Sequence, residues 1–162
     1  MPRRLILVLA GLLAVTPIGG CGGGDKKAST TSTSSSSSAP QSKAEYEKQL
    51  RAALTPPPGA ASLGNQVSPK TPPGTAAKVF DQVSLVYRQA YARMRSIVPP
   101  KDVAALHTQI AGVLSRLAQR TANVRDALRR NDKVAQAAAV ADINAQNQML
   151  KSLGQQLAAR GY

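Results

Sequence analysis

The stretch that decides the fold is "DVAALHTQIAGVLSRLAQRTANVRDALRR", Asp102 to Arg130. Its apolar residues Val103, Leu106, Ile110, Val113, Leu117, Val124 and Leu128 recur at spacings of 3, 4, 3, 4, 7 and 4. A helix turns once in about 3.6 residues, so these side chains line one face. A half-buried strand would instead alternate every second residue. Pro99 and Pro100 precede the stretch and exclude a longer helix. Asp102 follows them as a helix N-cap. Asn131-Asp132 then reads as a tight turn, with Asp132 capping the next helix.

The neighbouring segments repeat the pattern. On the N-terminal side a helix is expected from Ala76 to Val98. One stripe on it is Val79, Val83, Val86, Ala90 and Ile97, and Phe80, Tyr87 and Tyr91 form a second beside it. On the C-terminal side a helix runs from Lys133 toward Ala159, with Val134, Ala138, Ala141, Ala145, Met149, Leu153 and Leu157 near one face. Gly154 is a weak point in it, and "ARGY" reads as a frayed tail. These helices of about 23, 29 and 27 residues are joined by short links, which make antiparallel neighbours. A shorter helix opens the domain in "SKAEYEKQLRAAL". Ser42 and Glu45 fit a capping box, Tyr46, Leu50, Ala53 and Leu54 share a face, and Pro56–Pro58 end it. Residues 55–75, with six prolines and three glycines, read as an irregular Pro-rich loop. The expected fold class is all-α: an antiparallel three-helix up-down bundle with a shorter fourth, N-terminal helix.

The 162 residues allow one ordinary domain. With one Phe, four Tyr and no Trp, its core must come from Leu, Val, Ile and Ala. Lys and Arg number 21 against 8 Asp and Glu, a formal charge of +13. Such an excess draws anionic surfaces without naming one. A single cysteine excludes an intramolecular disulfide and a paired-thiol redox centre.

Residues 1–20 have three parts. "MPRR" is a positive start, Leu5 to Val15 an apolar run, and "TPIGG" a small-residue exit. This is signal-peptide anatomy. A membrane-spanning helix needs about 20 apolar residues, and Pro17, Gly19 and Gly20 end this run too soon. Residues 21–42 carry Cys21 and then a Gly/Ser/Thr-rich segment with no hydrophobic period, expected to be a disordered tether. Such a coil spans about 25 Å on average and reaches about 70 Å when stretched. Residues 43–162 form the helical domain.

The junction "IGGC", Ile18 to Cys21, resembles the lipobox of bacterial lipoproteins. That resemblance implies cleavage before Cys21, a diacylglycerol on its thiol, and an acylated amino group. It also implies a membrane-anchored protein of the extracytoplasmic face. Two or three acyl chains hold stably where one holds marginally. The "Y-x3-L" of the first helix, "PPKDVAALH" and the late "LG" further resemble helical lipoproteins of high-GC Gram-positive bacteria, for which the resemblance implies no activity.

The helical domain carries few side chains suited to chemistry. His107 is the lone histidine, and Asp102, five residues away, points elsewhere on a helix. No nucleophile motif accompanies it, so no catalytic residue is assigned. One His and a lipidated Cys cannot assemble a zinc site, and no other metal or cofactor is implied. The arginines are more informative. Arg116 and Arg120 are one turn apart, as are Arg125 and Arg129, with Arg130 following. One reading is compensation of the negative helix C-terminus. The other is an anion-binding face for an envelope polymer, lipid head groups or a protein partner. Nucleic acid is not expected, since no aromatic platform accompanies them. The overall reading is a non-enzymatic binding or structural module. The alternative is a small-ligand receptor or enzyme with a pocket between helices near His107, Tyr87 and Tyr91.

Overall fold

The structure, a computed structural model, describes residues 41–162. The expected signal peptide, Cys21 and most of the tether lie outside the described residues. Within them the chain is all-helical: α1 (Lys43–Leu54), a 3-10 segment (Ala60–Gln66), α2 (Pro73–Arg95), α3 (Ala104–Arg129) and α4 (Lys133–Ala159).

α3 touches both α2 and α4 along its length, and α2 and α4 share no comparable contact. It therefore buries a wide arc. Val103, Leu106, Ile110, Val113, Leu117 and Val124 are all buried, as expected, and Leu128 is half-buried. Leu114, Ala111, Ala118 and Ala122 are buried beside them and widen the stripe to serve two neighbours. Thr121 fills the gap in the apolar series. Its buried hydroxyl is shared between the Leu117 and Ala118 carbonyls, at 2.8 and 3.0 Å, so it carries no unpaired donor. Across the α2–α3 contact, Ser84 Oγ donates to the Ala118 carbonyl at 2.8 Å and accepts from Arg88 at 3.1 Å. The small Ala118 side chain lets Ser84 reach that backbone. Residue numbers rise along one helix as they fall along its neighbour. Asp81 meets Arg125, Ser84 meets Ala118, and Met94 meets His107; on the other side Arg116 meets Gln146 and Arg120 meets Asp142.

α1 begins where expected. Ser42 Oγ accepts from the Glu45 amide at 3.3 Å. The reciprocal half of the box is not made, because the Glu45 carboxylate accepts from Gln49 one turn on. Residues 55–75 are not irregular throughout. Gly59, at φ 82°, turns the chain into the 3-10 segment, and Ala60 and Leu63 are buried. α2 begins at Pro73, three residues before the expected Ala76. Proline fits the first helical turn, where its missing N–H has no partner to lose.

Three expectations are corrected. Asp102 does not cap α3. The two prolines lead into a turn closed by the Val103 amide on the Pro100 carbonyl, so the helix starts at Ala104 with no side-chain cap. The "ARGY" tail is not frayed. Gly161 takes φ 80°, and the Tyr162 amide bonds back to the Leu157 carbonyl at 3.1 Å, a Schellman-type closure. The face assigned to α4 is right at Leu153 and Leu157 but wrong over its first five residues. Ala139, Ile143, Leu153 and Leu157 are buried, whereas Val134 is 81% and Met149 46% exposed, and Ala138, Ala141 and Ala145 are exposed too. An alanine-rich helix carries nearly the same hydrophobicity on both sides, so the phase was set by the wrong residues.

Ile143→Ala is expected to cost about 2–5 kcal/mol of stability, and Val134→Ala to stay within about 0.5 kcal/mol. Chemical denaturation of the two variants measures the difference. Equal losses would restore the original phase.

Candidate functional site

The five arginines do not all share one environment. Arg116 and Arg120 reach toward α4. Arg116 Nε donates to Gln146 at 2.7 Å, and Arg120 pairs with Asp142 at 3.3 Å. Arg125 reaches toward α2, with Nη1 on Asp81 at 2.7 Å, while Nε and Nη2 hold both oxygens of Asp126 at 2.8 and 3.0 Å. Its hydrogen bonds keep the Asp81 and Asp126 carboxyls below the usual carboxylate range. These pairs sit at the surface, where ion pairs stabilise little. They tie α3 to its two neighbours. Arg129 and Arg130 are exposed, and among the described residues they hold no ion pair. The free cationic part of the proposed face is thus the end of α3, beside exposed Lys133 of α4.

His107 is the second candidate. It is only 6% exposed, and both ring nitrogens are occupied. Nε2 lies 3.0 Å from the Met94 carbonyl, and Nδ1 lies 3.2 Å from Tyr46 Oη. A carbonyl only accepts, so Nε2 carries the hydrogen. In the neutral ring Nδ1 then accepts from the tyrosine hydroxyl. Tyr46 is fully buried, and burial pushes its hydroxyl up to about 12, so it stays neutral. Its ring meets Tyr162 edge-on at 5.5 Å between centroids. Tyr162 Oη donates to the Asp102 carboxylate at 2.9 Å, Lys43 stands 4.8 Å over the Tyr162 ring, and Arg160 bonds to the Asp102 carbonyl. His107 is therefore a joint at which α1 is fixed to α2 and α3. Tyr87 is buried and Tyr91 half-buried; neither shares a hydrogen bond or ring contact with His107.

An open groove of about 740 Å³ lies elsewhere, between α1, the prolines after it and Arg93 of α2. Glu47, Lys48 and Arg51 of α1 line it together with Arg93, and Pro56–Pro58 form a wall. Arg93 Nη1 also caps α1 by donating to the Ala52 carbonyl at 3.3 Å. Sequence reasoning did not reach this groove. Lys48 and Arg51 are a visible helical pair, but Arg93 arrives from α2, 41 residues beyond the Ala52 whose carbonyl it meets. His107 is not among the lining residues. Among the described residues, no three of His, Cys, Asp and Glu gather to hold a metal ion, and no helix is long and apolar enough to cross a membrane. Comparison with protein-family models, curated proteins and solved structures returns no match.

Burial lowers the affinity of His107 for a proton below its ordinary value of 6.5, outweighing the opposite effect of the Met94 bond. The unfolded chain thus takes up a proton that the folded chain refuses. Stability is complete above about pH 6.5 and declines as pH falls through that value toward the lower folded one. His107→Gln should flatten this slope in a denaturation series at stepped pH. Tyr46→Phe leaves Nδ1 unpaired and should cost about 1–3 kcal/mol at neutral pH.

Proposed function

We propose that this chain is a membrane-anchored lipoprotein of the extracytoplasmic face, held by lipid on Cys21. A tether of residues 22–42 then carries an up-and-down three-helix bundle with a short leading helix. The single observation that carries the reading is the lone cysteine placed directly after the apolar run and small-residue exit, in "LILVLAGLLAVTPIGGC". In this reading the domain is a non-enzymatic binding or structural module. Its basic surface meets an anionic envelope component. The net charge supports this, and so does the exposure of Arg129 and Arg130 beside Lys133 at one end of the helices. The partner is sought among lipid head groups, envelope polymers and acidic protein surfaces.

Replacing Cys21 with Ser is expected to move the protein from the membrane fraction to the soluble extracytoplasmic fraction and to end metabolic labelling by fatty acid. Retention of membrane binding and label would refute the anchor. The basic end has its own test. Sedimentation with anionic vesicles, at rising salt, should weaken in Arg129→Glu/Arg130→Glu and fall for both proteins as salt screens the charges. Equal retention of the double variant at every salt concentration would remove that surface from the reading.

A further inference from the structure

α1 has a second face, and the groove beside the prolines is built on it. Ala44, Glu47, Lys48, Arg51, Ala52 and Thr55 fall at helical spacing, on the side away from the buried Tyr46, Leu50 and Ala53. Two of the three cations in the groove are uncommitted. Lys48 and Arg51 are exposed, and among the described residues their side chains hold no hydrogen bond or ion pair. The third, Arg93, is held in place by Nε on the Gln89 carbonyl and Nη1 on the Ala52 carbonyl, each at 3.3 Å. Both acceptors are neutral, so its guanidinium is oriented without its charge being cancelled. The last carbonyls of a helix repel an anion. Here the Arg51 carbonyl accepts from the Thr55 amide and hydroxyl, at 2.9 and 2.8 Å, and the Ala52 carbonyl accepts from Arg93. The end of α1 therefore turns positive charge toward the groove, against the single carboxylate of Glu47.

The other wall is apolar. Pro56, Pro57 and Pro58 have no backbone N–H, so that wall cannot pair with a passing chain as a strand would. It offers rigid rings instead. An occupant has to suit both walls, with negative charge for Lys48, Arg51 and Arg93 and apolar groups for the prolines. A phosphate polymer or a lipid head group supplies the charge alone. In an extended peptide, successive side chains point to opposite sides. A segment in which acidic and apolar residues alternate therefore sends its carboxylates to one wall and its apolar side chains to the other. The lengths agree as well. From Ala44 to Thr55 the helix runs about 16 Å, which about five residues of extended chain cover. We propose that this groove binds an extended peptide segment of a partner protein, with acidic and apolar residues alternating. Carboxylates are received by the fork of Arg93 and by Arg51 and Lys48. The site is separate from Arg129 and Arg130 and depends neither on them nor on the lipid anchor.

The test is fluorescence anisotropy of a short labelled peptide alternating Glu and Leu, added to the full chain in non-ionic detergent and corrected for binding to empty micelles. Saturable binding is expected. Lys48→Ala/Arg51→Ala is expected to weaken it about tenfold or more. Helical circular dichroism should not change, since both positions are exposed and alanine favours helix. Arg129→Glu/Arg130→Glu should leave the affinity as it is. A peptide with Ser in place of every Leu, or Gln in place of every Glu, should bind far more weakly. Absence of saturable binding overturns the proposal. So does equal affinity in the natural chain and the folded double variant. Should the double variant lose helicity, Arg51→Gln replaces it, and undiminished affinity there overturns the proposal in the same way. Equal binding of the Leu and Ser peptides overturns it in favour of a bare anion. Displacement by inorganic phosphate or by anionic vesicles then tells a free ion from a lipid surface.

Discussion

α3 has to be buried on two sides at once, and the rest of the structure follows from that demand. A helix with one neighbour needs one apolar stripe. α3 has two neighbours, and it meets the requirement with Leu and Val on one flank and a run of alanines on the other. The alanines keep the helices close without large side chains. Close approach in turn makes room for polar groups inside the contact. Ser84 and Thr121 are both buried and both bonded to α3 carbonyls. Neither is an unmet polar group, so neither penalises the core.

The surface arginines serve the same arrangement. Arg116 and Arg120 lean over α4, and Arg125 leans over α2. A guanidinium stem covers apolar surface at a helix seam while its head stays in water. Much of the basic character of α3 is therefore spent on its flanks. The charge left free is concentrated at its C-terminal end, where the helix dipole already accepts it.

The central helix was legible in the sequence because a long apolar period bounded by prolines admits few other readings. Its register with α2, set by contacts such as Ser84 with the Ala118 carbonyl, left no trace in the sequence. α4 was legible in extent and in its Asp132 cap, but not in phase. Leu153 and Leu157 belong to the buried face, whereas Val134 and Met149 belong to the other. The alanines between them do not discriminate. Nor was the environment of His107 legible. It depends on Tyr46 from 61 residues away and on a carbonyl of another helix, neither of which leaves a local trace. Asp102 misled for a related reason. It has the right type and position for a cap, yet Tyr162, 60 residues on, takes its carboxylate.

The joint between Tyr46 and His107 also has a mechanical meaning. Any pull on the chain ahead of Ser42 enters the domain through α1. That helix is short, and beyond its own turns it is held by the Tyr46 ring, the Arg93 bond to Ala52 and a limited apolar face. Load is thus taken first by the element with the least to lose. α1 can peel away like a sacrificial link while the three longer helices keep their packing, so a sudden tug on the preceding chain is absorbed before it reaches the core.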